Sequence, residues 1–269
     1  MRVGSLCTGA AMLDEAVAAV FGPLGHVFHS EVDPDASAVL AHHYPGVPNV
    51  GDLTVVDWSA VAPIDLLCGG IPCQPWSLAG KQAGSTDERD LWPVRKFDEH
   101  GKRRRGAVDA IAALRPRVVL LENVAGLLTA EKGQPFGQVL ADLDQLGYAV
   151  TWTVLGACKV GACHHRHRVY VYATRDKVEA LGREPVAWRL EGTGPWVEQE
   201  STLFGDFPPF ESWPQAGMSA GGFVWAMPAD PCGSTGLLLP TPTARVADGR
   251  GTPNVETAAR RIFAEGRRN

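Results

Sequence analysis

From its first residue to about Thr174 the chain alternates short apolar runs, rich in β-branched residues, with stretches of helical period. Strands joined by crossover helices produce this pattern, so a parallel α/β sheet is the expected fold class. Strands are expected at Val3 to Cys7, His26 to Val32, Ile64 to Cys68 and Arg117 to Glu122, the last two compact enough to be buried on both faces. Helices are expected at Ala11 to Val20, at Pro34 to Tyr44 with Asp33 as cap, at Gly106 to Leu114 stopped by Arg115-Pro116, and at Phe136 to Leu146 ended by Gly147. Tyr148 to Leu155 and Arg168 to Ala173 read as later strands, candidates for antiparallel pairing.

After Asp176 the pattern changes: half of the 20 prolines and four of the 8 tryptophans fall there, with little periodicity, which marks a smaller loop-rich region. The division expected is 1–175 for the α/β domain and 176–269 for the second region. At 269 residues the chain can bury a full core. It has no apolar run near the roughly 18 residues needed to span a bilayer and opens on no secretory pattern, so a cytoplasmic protein with no membrane partner is expected. Six scattered cysteines suit free thiols in a reducing compartment better than a disulfide scaffold. The net charge of -5 argues against coating nucleic acid by bulk electrostatics, while allowing a local basic patch.

The most informative stretch is Asp65-Leu66-Leu67-Cys68-Gly69-Gly70-Ile71-Pro72-Cys73-Gln74-Pro75-Trp76-Ser77. An apolar strand runs into a Gly-Gly turn and presents a cysteine between proline and glutamine. In open parallel sheets, ligands sit at the carboxyl ends of strands, where a thiol is placed for nucleophilic attack. A carboxylate, Glu122, closes another buried run in Leu120-Leu121-Glu122-Asn123-Val124 and needs a polar purpose there.

Pro72-Cys73-Gln74, Glu122-Asn123-Val124 and Arg166-His167-Arg168, in this order and at these separations, resemble the DNA (cytosine-5) methyltransferase family. The resemblance covers roughly the first 175 residues, including Ser5-Leu6-Cys7-Thr8-Gly9, Glu31, Gly51-Asp52-Leu53-Thr54 and the lysine-bearing Ala79-Gly80-Lys81-Gln82. It implies a doubly wound, Rossmann-like sheet that uses S-adenosylmethionine to methylate cytosine in double-stranded DNA. Cys73 is implied as the nucleophile that adds to carbon 6 of a flipped base, with Glu122 at ring nitrogen 3 and Arg168 and Arg166 at the 2-oxo group. Leu6, Cys7, Thr8, Gly9, Ala10, Ala11, Glu31, Val32, Asp52, Leu53, Gly70 and Pro72 are implied around the methyl donor. Of these, Glu31 would accept from the ribose hydroxyls and Asp52 from the adenine amino group. Gln74, Ser77, Lys81 and Asn123 are implied at the substrate. A cognate restriction endonuclease is a further partner the resemblance suggests, and residues 176–269 take the place of a target-recognition region, possibly truncated.

Two departures shape the expectation for the donor. Ala10-Ala11-Met12 stands where the family carries paired glycines, and the family's closing Asn-bearing segment is not legible, Glu256 to Gly266 reading as a basic helix. The chain alone is therefore expected to bind S-adenosylmethionine weakly or to need a second polypeptide. Cys158, Cys163, His164, His165 and His167 have zinc-like composition, but they fall in the arginine-bearing motif, whose histidines are expected to face phosphate or solvent; no metal is assigned. Lys102-Arg103-Arg104-Arg105 reads equally as a solvated charge run or as a contact to DNA phosphate.

Overall fold

The computed structural model describes residues 1–72, 91–92, 105–163, 165–176, 187–189, 196–198 and 212–227. In chain order these form β1 (Arg2–Leu6), α1 (Met12–Phe21), β2 (Gly25–Ser30), α2 (Pro34–His43), β3 (Leu66–Gly69), α3 (Ala107–Leu114), β4 (Val118–Val124), α4 (Gln134–Gln145), β5 (Ala149–Gly156) and β6 (His167–Thr174). The short strands β7 (Ala187–Arg189), β8 (Trp196–Glu198), β9 (Ala216–Ala220) and β10 (Phe223–Ala226) follow. The expected elements up to Thr174 are all present, with ends displaced by a few residues. Asp33 caps α2 by accepting from the Ala36 amide, and Arg115 ends α3 in a left-handed conformation just before Pro116.

All ten strands form one sheet in the order β2-β1-β3-β4-β6-β5-β9-β10-β7-β8. Strands β1 to β4 pair in parallel, while β6 lies antiparallel between β4 and β5. Alternation along the parallel strands sends successive side chains to opposite faces. Val3, Leu66, Cys68 and Val118 join Val17 of α1 on one side. Leu6, Leu67, Val119 and Leu121 join the apolar faces of α3 and α4 on the other. Helices cover both faces, as a doubly wound sheet requires. Because β2 leaves β1 on one side and β3 on the other, the strand order reverses at β1/β3 and opens a crevice above their carboxyl ends.

Residues 212–227 continue this sheet: β9 pairs with β5, and β10 with β9. Trp213, 4% exposed, packs edge-on against Phe136 of α4 and Trp152 of β5, with ring centroids 5.8 and 6.2 Å away. Its indole donates to the Gly133 carbonyl at 2.7 Å, and the Trp152 indole to Pro214 at 2.9 Å. No helix among the described residues is long and apolar enough to cross a membrane.

Candidate active site

The crevice is a cleft of about 360 Å³, lined by Cys7, Ser30, Glu31, Val32, Gly51, Asp52, Leu53, Gly70, Pro72 and Leu91. The segments come from the ends of β1, β2 and β3 because parallel strands deliver their carboxyl termini to one edge. Strand β2 stops at Ser30, which frees Glu31 and Val32 to turn into the cleft. Glu31 is held on both oxygens: Oε2 accepts from Gly9 N at 2.7 Å, and Oε1 from Val32 N and Asp33 N at 2.9 and 2.8 Å. Asp52 Oδ1 accepts from Thr54 N at 2.8 Å. Two carboxylates thus stand fixed on one wall, and Val32, 71% exposed, offers an apolar side chain beside them.

Seven of the twelve residues expected at the donor line this cleft: Cys7, Glu31, Val32, Asp52, Leu53, Gly70 and Pro72. The other five are not part of its wall. Leu6 is fully buried in the core, Thr8 donates its amide to Ser30, and Gly9 donates to Glu31. Ala11 is buried in a left-handed conformation (φ 61) at the start of α1. Met12 follows as the first helical residue with 75% of its surface in solvent, and Ala10 and Met12 do not contribute to the wall.

Ser30, Gly51 and Leu91 line the cleft without having been expected there. Asn49 was also missed, although its amide ties the wall together. Its Oδ1 accepts from Glu31 N and Gly51 N at 3.0 and 3.1 Å, and its Nδ2 donates to Glu31 O and Ser37 Oγ, each at 3.0 Å. Ser30, immediately before Glu31, had a positional signal. Leu91 had none, because it reaches the cleft through a long-range bond from Ala107 N to its carbonyl at 2.9 Å.

Burial, then the charges of Glu31 and Asp52, push the Cys7 thiol up to about 12. Cys7 therefore stays protonated at pH 8, since the raised value means the proton is held more tightly. Exposed Cys163 is expected to be alkylated by iodoacetamide at pH 8 while Cys7 is spared, with Cys7 labelling rising steeply towards pH 11. Peptide mass mapping across that range checks this, and equal labelling of both thiols at pH 8 would contradict the assigned environment.

The second half of the site lies at the end of β4. Arg168 of β6 donates its Nε to Glu122 Oε1 at 2.8 Å, both side chains being partly buried. This contact exists because β6 pairs with β4, placing Arg168 opposite Val124 and Tyr170 opposite Glu122. Asn123 Nδ2 donates to the Ile71 carbonyl at 3.2 Å, pinning the segment that leads to Cys73. The two halves meet at Gly70. A Cβ there would sit 3.6 Å from Glu122 Oε2 and 3.9 Å from the Cys7 carbonyl, so only a hydrogen separates the cleft from the carboxylate. At Gly69 a Cβ would come within 2.8 Å of the Leu6 carbonyl, which requires glycine for the close approach of β3 to β1.

Cys73, Gln74, Ser77 and Lys81 lie outside the described residues, as do His164, Lys102 to Arg104 and the Glu256 to Gly266 segment. Arg166 takes a positive φ of 28° and is exposed. Cys158 Sγ lies 3.5 Å from His165 Nδ1, while Cys163 is exposed. Among the described residues, this segment does not bring three metal-binding side chains together. Arg105 donates to the Val56 carbonyl.

A mixed sheet with helices on both faces and an acidic cleft at its switch point, abutting a Glu–Arg pair, places the chain in the class of doubly wound α/β folds. Within it, the model of the C-5 cytosine-specific DNA methylases matches residues 1–190, and the chain belongs to that family. The family generally depends on S-adenosylmethionine. The chain is 34% identical to the type II methyltransferase M.NgoBV of Neisseria gonorrhoeae over 152 residues, 54% of this chain and 33% of that protein. It is 31% identical to M.NgoMIV of the same organism over 173 residues, 64% of this chain and 51% of that protein. The chain thus spans about a third to a half of the length of the curated relatives it matches. Similar solved structures include the Dnmt2 methyltransferase of S. pombe, at 18% identity and TM-score 0.46, covering 67% of this chain and 53% of that one. Another is the methyltransferase EhMeth of Entamoeba histolytica, at 12% identity and TM-score 0.44, covering 70% and 58%.

Proposed function

We propose that the chain methylates carbon 5 of cytosine in double-stranded DNA, with S-adenosylmethionine as donor. The observation that carries this reading is the Glu122–Arg168 pair, one glycine away from a cleft walled by Glu31 and Asp52. The cleft suits the donor in size and charge: 360 Å³ falls within the range of small-molecule sites, and two carboxylates face a ligand that carries a cationic sulfonium and a ribose diol. Bound there, S-adenosylmethionine supplies an electrophilic methyl group. Glu31 accepts from the ribose hydroxyls, Asp52 from the adenine amino group, and Val32 covers an apolar face.

On the other side of Gly70, the flipped base meets residues of this chain. The Cys73 thiolate forms a bond to carbon 6, which makes carbon 5 nucleophilic enough to take the methyl group. Glu122 shares a proton with ring nitrogen 3 and so stabilises the electron density that the addition places on the ring. Arg168 holds Glu122 through its Nε and, with Arg166, reaches the 2-oxo group. Asn123 fixes the approach to Cys73 through Ile71, and Gln74, Ser77 and Lys81 contact the nucleotide. Transfer of the carbon 5 proton to solvent water restores the ring double bond and expels the Cys73 thiolate. Residues 1–175 carry this chemistry and 176–269 the target recognition, the chain working as the modification partner of a restriction endonuclease.

Bisulfite sequencing of DNA from cells expressing the chain tests this reading and gives the recognition sequence. Protected cytosines within one repeated motif are the expected result. DNA that stays fully convertible, with methyl transfer to tRNA in a parallel assay, would replace the DNA substrate by an RNA one.

A further inference from the structure

A cluster of buried polar side chains lies under α1, on the face of the sheet away from α3 and α4. Strand β2 reaches it by an irregularity. In the β1/β2 pairing, Val3 opposes His26, Gly4 opposes Phe28 and Ser5 opposes His29, which leaves Val27 as an extra residue. The bulge makes a spacing of three act as a spacing of two, so His26 and His29 share the face of Val3 and Ser5. Helix α1 turns Asp14, 1% exposed, down onto the same place. Ser5 Oγ donates to Asp14 Oδ2 at 2.9 Å, and His26 Nε2 lies 3.2 Å from Asp14 Oδ1. The His29 ring centroid is 5.0 Å from that of His26, and the Tyr44 ring closes the cluster at 4.7 and 5.0 Å from the two imidazoles.

One feature of this cluster lacks an explanation within the protein. Asp14 is a buried carboxylate whose partners are the Ser5 hydroxyl and the His26 imidazole, with no lysine or arginine beside it among the described residues. His29 is 1% exposed, and its Nε2 has no hydrogen-bond partner, which leaves an imidazole nitrogen buried and unsatisfied. One donor atom from each of Asp14, His26 and His29 lies within 4.8 Å of the other two, a convergence that occurs only here among the described residues.

We propose that Asp14, His26 and His29 form a structural Zn²⁺ site that locks α1 onto β1 and β2. A cation there neutralises the buried carboxylate and satisfies the orphaned imidazole at once. The 3.2 Å between Asp14 Oδ1 and His26 Nε2 is close to the roughly 3.3 Å donor separation of a tetrahedron with metal–ligand bonds of about 2.0 Å. His29, whose donor atom lies within 4.8 Å of those of the other two, supplies the third ligand. Imidazole and carboxylate donors suit zinc, and the Ser5 hydroxyl on Asp14 Oδ2 orients the ligating carboxylate from outside. The site stands one residue before Ser30 and two before Glu31, so it steadies the wall of the donor cleft without touching it.

The test uses the full chain. Elemental analysis of protein purified without chelator is expected to find about one zinc per chain. Chelator-stripped protein given Co²⁺ is expected to develop the visible absorption of tetrahedral cobalt and to regain its thermal midpoint. His29→Leu fills the same space without a donor and should fold; it is expected to lose the cobalt spectrum and the chelator sensitivity, with metal affinity reduced at least about tenfold. Cys158→Ala should leave both unchanged. Wild-type protein that shows neither stoichiometric metal nor a cobalt spectrum overturns the proposal, as does His29→Leu protein that binds cobalt as the wild type does.

Discussion

Serine in place of Cys73 is expected to abolish methyl transfer, by at least about a thousandfold, and with it the covalent capture of DNA carrying 5-fluorocytosine at the target. The effect is large because the chemistry needs a bond from the protein to carbon 6. A thiolate is accessible near neutral pH, whereas a serine hydroxyl holds its proton and has no assigned base beside it. Fluorine at carbon 5 cannot leave as a proton does, so elimination fails and the adduct persists. The competing thiols near the sheet edge are poor substitutes. Burial and the Glu31 and Asp52 charges keep Cys7 protonated, and burial followed by the Asp14 charge pushes Cys68 above the ordinary thiol range. Gel-shift trapping with the wild type, Cys73→Ser and Cys163→Ser checks this. Adduct that survives Cys73→Ser and disappears with Cys163→Ser would assign the nucleophile to the wrong thiol.

The largest effect on stability is expected at Trp213. Truncation to alanine removes a side chain that is 4% exposed, empties the space between Phe136 and Trp152, and leaves the Gly133 carbonyl without its 2.7 Å donor. Large aromatic truncations in cores cost about 3–5 kcal/mol. Trp213→Phe keeps most of the ring and loses the hydrogen bond, for a cost of about 1–3 kcal/mol. Urea unfolding followed by far-ultraviolet circular dichroism measures both. A Trp213→Ala midpoint within about 1 kcal/mol of the wild type would mean that residues 212–227 are not part of the same cooperative unit as β5 and α4.

The placement of the catalytic motifs was largely legible in the chain because its signals are local. Alternation over four or five residues marks a buried strand, and the residues that follow such a strand arrive at the carboxyl edge whatever the rest of the fold does. Glu122 was found in this way, whereas Glu31, Asp52 and Gly70 came from the family resemblance; all four converge around one cleft and its neighbour. The left-handed turn at Ala11, which sets the start of α1 before Met12, is a backbone choice that side-chain identity does not announce. Asn49 was missed because its four side-chain hydrogen bonds tie the loops around it to each other and to Ser37 of α2, and an asparagine in a Pro-Asn-Val segment carries no mark of that duty.

The amino-acid sequence by itself determined the order of strands and helices, the caps at Asp33 and Arg115, and the positions of the chemistry-bearing residues at strand ends. Each of these follows from periodicities of two or 3.6 residues and from conformational preferences of single residues. The tertiary structure alone decided which ends meet. Strand β6 inserted antiparallel beside β4, and this brought Arg168 to Glu122 across 45 intervening positions in the chain. Strand β9 added to β5, and Trp213 entered the core through a bond to a carbonyl 80 residues away. The bulge at Val27 turned His26 and His29 to one face, against the period of the strand. Strand neighbours and bulges are chosen by the fit of whole faces against one another, which no short stretch of sequence contains.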